Sequence, residues 1–320
     1  MLINKFDPKM AYILNDPTIF NIQEIMDEID PQDEDDEFED LILNPYDIYR
    51  LSVDNYTFEG DFLPIRWLIT NYRDVVNNVR LTQTAAQVGN LKCLIYLHEN
   101  GCSWNWKTCE AAAIYGHLDC LIYLHENGCE WYLSVCRAAT TYDHLDCLIY
   151  LHEEDCPWNA SVCNWAAHFG SIRCLQYLHE EGCPWDMWTC LGAAANGHLD
   201  CLIYLHENGC YWDASVCNQA AKYGHLDCLV YAHENGCPWD KYTCSHAARG
   251  GHLDCLVYAH ENGCPWNEFI CLLAARRGHI DCLIYLIENG CPWDKHNCRD
   301  IRDQDILSYL QSKDLCAEKI

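Results

Sequence analysis

The sequence predicts an all-α solenoid, a single array of stacked helical hairpins, and three observations predict it. A unit of 27 residues recurs from about Leu81 onward without insertion or deletion. Gly89, Gly116, Gly170, Gly197, Gly224, Gly251 and Gly278 all fall on that lattice, and Asp143 holds the register at its one break. Fixed periods of about 20–50 residues mark arrays in which each unit packs only on its neighbours. Within each unit, leucines recur at helical spacing. Half of the 320 residues are apolar, enough to fill a long core.

Residues 106–132, WKTCEAAAIYGHLDCLIYLHENGCEWY, stand for the whole array. The pattern predicts a first helix over roughly 108–115, whose small pair Ala112–Ala113 lets a neighbouring helix approach closely. Gly116 makes the turn, where positive φ is easily accommodated. A second helix is predicted over roughly 117–127, with Leu118, Leu121 and Leu124 as its inward stripe. Asp119 suits the positive end of that helix's dipole, and Asn127–Gly128 closes it with a left-handed cap. The following loop reads Gly-Cys-Pro-Trp-Asp in its fullest form, Gly236–Asp240. Its last residue, Asp or Asn, is a good N-cap for the next first helix. One hairpin cannot bury its own apolar face. Stacking does so, at about 1.5–3 kcal/mol per buried Leu-sized side chain.

The formal net charge is −28, with −12 in residues 1–80 and −16 in the remainder. An acidic surface repels phosphate, which argues against nucleic acid and anionic membranes as partners. The opening MLINKFDPKM lacks the apolar core and cleavage site of a secretory signal. No apolar run approaches the ~18 residues of a membrane span. The expectation is a soluble intracellular protein, cytoplasmic or nuclear.

Four regions follow. Residues 1–61 form an acidic N-terminal segment. It holds an amphipathic helix over about 18–29 (Ile19, Ile22, Met26, Ile29) and a solvated, disordered acidic run over 33–40. Residues 62–80 read as a degenerate N-terminal cap, and 81–298 as eight repeats. Residues 299–320 read as a C-terminal cap, where the Ala-Ala pair is lost and Arg299, Asp300, Arg302 and Asp303 appear. Polar caps stop a solenoid from growing end to end.

The unit resembles an ankyrin repeat. The resemblance rests on Ala-Ala-x-x-Gly-His-Leu-Asp, as in Ala220–Asp227, and on Leu-x-Tyr-Leu-x-Glu-Asn-Gly-Cys, as in Leu202–Cys210. It covers roughly residues 81–310. The family's Thr-Pro-Leu-His run is replaced by Thr-Cys or Val-Cys, as at Thr189–Cys190 and Val216–Cys217. The unit is also about six residues short of the usual 33. The short Cys-Pro-Trp form is similar in style to arrays of large DNA viruses of amoebae. The resemblance implies an ankyrin-like hairpin solenoid with truncated β-hairpin fingers. It implies a non-enzymatic scaffold that binds a protein partner in its concave groove, without a cofactor.

The resemblance also implies where a partner touches. The two residues after each Ala-Ala face the groove, and they vary from copy to copy. They include Tyr115, Tyr142, Phe169, the pair Lys222–Tyr223, Arg249 and the pair Arg276–Arg277. A second variable set precedes the first helices and includes Trp106, Trp188, Lys241 and Tyr242. Aromatic residues dominate the first half and basic ones the second. Tyr, Trp and Arg are enriched at binding hot spots, so the expected partner is a protein segment with an apolar and an acidic part.

Other constellations read as scaffold. There are 25 cysteines, three in each repeat plus Cys316, and they fall on small core positions where a thiol acts as a small hydrophobe. Disulfides between equivalent cysteines are disfavoured by the ~8–10 Å spacing of packed helices. Non-equivalent pairs, such as Cys120 with Cys136, stay open. His-x-x-Cys, as in His117 and Cys120, recurs in six copies, yet structural zinc needs four convergent ligands. The Gly-His histidine reads as a turn residue. The second histidine, His125, sits where it can pack or cap helix carbonyls. Trp104, Trp131 and their equivalents read as a ladder stacked along the array. No nucleophile elbow, phosphate loop or His-Glu-x-x-His motif is present, so the chain does not read as an enzyme. The competing class is a thiol-rich metal-binding or redox protein. Replacements of glycine by Asp143 and Asp155 predict local weakness in the third repeat.

Overall fold

A computed structural model describes residues 78–267 and 269–316. The expected helix over 18–29, the acidic run over 33–40 and most of the degenerate cap lie outside the described residues. Every element among the described residues is helical. Eight first helices run from Asn78–Gln87 to Ile270–Arg276, and each is followed by a nine-residue second helix, from Leu91–Glu99 to Ile280–Glu288. A 3-10 turn, Lys295–Asp300, and a last helix, Gln304–Ser312, close the array. The fold is an all-α, ankyrin-like hairpin solenoid with no strand among the described residues.

First helices start about two residues earlier than the spacing predicts. In the second repeat, Trp106–Ile114 begins there because Asn105 accepts the Lys107 N–H at 2.9 Å. Asn159, Asp186, Asp213 and Asp240 cap their helices in the same way. Each such cap contributes about 1 kcal/mol.

The core is one continuous seam of Leu, Cys and Ala. Cys120, Leu121 and Leu124 of a second helix are buried, as are Ala112 and Ala113 of the first helix before it. First helices pack more closely on one another than second helices do. The alanine pairs permit that approach.

Two histidine ties link most repeats to the next, and neither is legible in one unit alone. The histidine of Gly-His does not cap its own helix. Its ring turns back to the preceding repeat, where Nε2 of His225 meets the Ala195 carbonyl at 3.1 Å and Nε2 of His279 meets that of Arg249 at 3.1 Å. The ring then lies flat on the preceding turn. A Cβ added to Gly197 would stand 2.4 Å from Nδ1 of His225. This glycine therefore has two duties, a φ of +76° and room for an imidazole.

Of the roles open to it, the second histidine packs. It caps no carbonyl, a task taken by Asn127, whose Nδ2 donates to the Tyr123 carbonyl at 2.8 Å. Nor do the tryptophans stack on each other. His206 stacks on Trp212 with ring centroids 4.0 Å apart, and Trp212 meets Tyr231 edge-on at 6.3 Å. Nδ1 of His206 shares a hydrogen bond with the Tyr231 hydroxyl at 2.9 Å. The same His–Trp–Tyr triad recurs at each junction from His98 to Tyr285. Aromatic pairs of this kind contribute about 0.5–1.5 kcal/mol beyond burial. Tyr204→Phe, which removes only the hydroxyl bonded to His179, is expected to cost about 1 kcal/mol. Hydrogen exchange of the repeats on either side is the measurement.

The third repeat solves the junction differently. Asp143 adopts φ +59° in place of glycine, and its carboxylate accepts the Cys174 N–H at 2.8 Å, capping the next second helix from outside. The histidine site above it holds Ser171, whose hydroxyl donates to the Thr140 carbonyl. Asp143 therefore carries a compensation that the sequence reading did not include.

Candidate partner-binding face

The ends of the first helices form one row along the array. Tyr115 caps its helix, Tyr142 follows its helix in the turn, and Phe169 and Tyr223 are the last residues of theirs. All four are exposed. Adjacent copies touch along the row. The Gln87 amide donates to the Tyr115 hydroxyl at 3.1 Å, and the Asn196 amide meets Nδ1 of His168 at 2.9 Å. Residues 28 apart in sequence are thus neighbours in space.

The middle of the row is an aromatic cluster that sequence reasoning only partly found. Trp165 lies 5.1 Å from Phe169, centroid to centroid, and its indole N–H donates to the Thr141 hydroxyl at 3.3 Å. The Arg137 guanidinium sits 5.0 Å over the Trp165 ring. Trp165 and His246 share one position, the residue before Ala-Ala, which also varies between copies, and Arg137 stands one position earlier in its repeat. That variability was the available signal for them.

The basic half is smaller than the sequence suggests. Lys222 and Arg249 are exposed and both bear on His246. Burial pushes the His246 imidazole below the usual histidine range, and the two cations push it further the same way. Lys222 also donates to the Tyr223 hydroxyl at 3.0 Å and lies over that ring. Arg277 is exposed beside Arg302 and Asp303. Arg276, expected as a groove cation, is instead ion-paired with Asp300 of the C-terminal turn at 2.6 Å. The cap charge reaches back and occupies it.

The second set sits at the opposite end of the first helices. Trp188, Lys241 and Tyr242 are exposed there, whereas Trp106 is half-buried edge-on to Tyr132. Lys241 lies over the Tyr242 ring. Eight residues of helix separate Lys241 from Arg249, about 12 Å at 1.5 Å per residue. The structure does not merge the two sets, and a ligand touching both must cross the face.

The histidines and cysteines do not converge on a metal. His117 points to the Gln87 carbonyl while Cys120 is buried on the core side. Among the described residues no group of three His, Cys, Asp or Glu side chains is placed to hold an ion. No described helix is long and apolar enough to cross a membrane.

These features define a class, a helical-hairpin solenoid with a variable first-helix face on a repeated frame. Within it, residues 244–287 match the family model described as ankyrin repeats (many copies). Among solved structures, the human ASB11 ankyrin repeat domain aligns at 19% identity with a TM-score of 0.45, over 57% of this chain and 92% of that one. No curated protein matches the chain.

Proposed function

We propose that this protein is a non-enzymatic scaffold that captures an extended protein segment along the ends of its first helices. The observation that carries this reading is the row itself. Tyr115, Tyr142 and Phe169 are exposed in successive copies, Arg277 takes the same repeat position, and Lys222 and Arg249 take the position just before it. Exposed aromatic side chains on a rigid frame bind at low entropic cost. Cations gathered on a chain of net charge −28 select for acidic groups. The segment that fits has an apolar stretch against the aromatic half and carboxylates against the basic half.

Peptide display against the array tests this. It is expected to enrich sequences that join aromatic or aliphatic residues to an acidic block. Replacing Lys222, Arg249 and Arg277 together by Glu is expected to lower their affinity at least tenfold without changing the far-ultraviolet circular dichroism. Arg276 is left alone, because its loss would also release Asp300. Enrichment of uncharged peptides, or full retention by the triple variant, would falsify the proposal.

A further inference from the structure

Each repeat contributes three buried cysteines, and they are not equivalent. The second-helix thiols, such as Cys120 and Cys147, sit alone in the seam, where burial pushes each up to about 12. The other two classes meet. Sγ of Cys109, in a first helix, lies 2.8 Å from Sγ of Cys129 in the next loop, and Cys136 lies 3.0 Å from Cys156. These separations are within about 1 Å of a disulfide bond length of ~2.05 Å. At later junctions the equivalent first-helix thiol lies against its partner's backbone carbonyl, as Cys163 to Cys183 at 3.9 Å and Cys244 to Cys264 at 3.8 Å, so the pair 20 residues apart stays adjacent there.

The last rung shows where this geometry leads. Cys298 occupies the first-helix position one period after Cys271, and it is disulfide-bonded to Cys316 of the C-terminal turn. We infer that the junction thiol pairs are modification sites, which a hydroperoxide converts to disulfides that staple each first helix to the loop after the next second helix.

The two thiols of a pair have distinct roles. The first-helix thiol donates a hydrogen bond to the loop sulfur, which holds Cys129 and Cys156 below the usual thiol range. The same bond, reinforced by burial, holds Cys109 and Cys136 protonated. The loop sulfur is also the one nearer to solvent. Cys129 lines an open depression with Cys102, Gly128 and Glu130, whereas Cys109 is fully buried.

The reaction balances in two steps. Cys129 gives its proton to solvent, its thiolate attacks one peroxide oxygen, an S–O bond forms as O–O breaks, and the departing oxide takes a proton from solvent to leave as water or an alcohol. The Cys109 sulfur then attacks the Cys129 sulfenic acid. The S–S bond forms, S–O breaks, and hydroxide leaves as water with the Cys109 proton. Two thiols are oxidised and one peroxide is reduced.

The test uses the full chain, reduced, desalted and exposed to graded hydrogen peroxide. Remaining thiols are alkylated before and after unfolding, and peptides are mapped by mass spectrometry. Disulfides linking residues 20 apart are expected, with both thiols lost at each junction. The second-helix cysteines should stay alkylatable once the chain is unfolded. Cys109→Ala and Cys129→Ala keep the volume small if serine disturbs the core. In Cys109→Ala the Cys129 sulfenic acid should persist and be trapped by dimedone, while in Cys129→Ala the Cys109 thiol should survive peroxide. Scrambled or intermolecular linkages, equal oxidation of second-helix cysteines, or resistance of the junction pairs in the folded array would overturn the inference. None of these outcomes bears on the binding face, so the two proposals stand or fall separately.

Discussion

Gly197→Ala is expected to destabilise its junction by about 2–4 kcal/mol, and Gly209→Ala by only about 1 kcal/mol. The two glycines are matched controls. Both adopt nearly the same left-handed conformation, φ +76° and +77°. A residue with a Cβ pays about 1–2 kcal/mol there, whatever surrounds it. They differ in what the new methyl meets. At Gly209 nothing lies within 4 Å, whereas at Gly197 the His225 ring stands 2.4 Å away. The ring must swing out and release the Ala195 carbonyl. Overpacking of this kind costs about 1–3 kcal/mol, and it is the term that separates the two sites. Hydrogen exchange of the two hairpins that meet at Gly197 reads the loss locally. Equal effects at both glycines would show that the ring is not a fixed part of the junction.

Ser171→His is expected to cost about 2–4 kcal/mol alone and to become nearly neutral when Asp143→Gly accompanies it. Restoring the consensus histidine would drive its ring into the Cβ of Asp143. The geometry at the other junctions puts such atoms 2.3–2.5 Å apart. It would also remove the Ser171 bond to the Thr140 carbonyl and push Asp143 off the Cys174 N–H. Removing the Asp143 side chain returns the room that the histidine needs. Asp143→Gly alone should be close to neutral. It relieves left-handed strain of about 1 kcal/mol and forfeits a cap of about the same size. A double-mutant cycle should therefore give a coupling energy above about 1.5 kcal/mol. Additive effects would mean that the two exceptional residues are unrelated.

Much of the frame was legible from the residues. Period, leucine spacing, alanine pairs and Asn/Asp caps predict the hairpins, because each is a local signal repeated many times. The row along the first-helix ends was legible only by its variability. Tyr115, Tyr142, Phe169 and Tyr223 could be placed there, while Trp165 and Arg137 fall outside the expected pairs because they precede the Ala-Ala stretch and do not follow it. Arg276 was read as available for binding, although a carboxylate 24 residues away holds it. The cysteines read as small core side chains with non-equivalent pairings left open, and the structure brings two of the three together across a junction, Cys109 with Cys129 and Cys136 with Cys156.

The sequence by itself determined the unit, its length, its two helices and the fact that units stack. Those properties are set by interactions within a few residues, which composition and spacing encode directly. The tertiary structure alone decided which atoms meet between units: sulfur on sulfur 20 residues apart, imidazole on tyrosine 25 apart, imidazole on backbone carbonyl 30 apart. A strict repeat announces that neighbours touch, but every offset is compatible with it. The close packing of the first helices is what selects these partners.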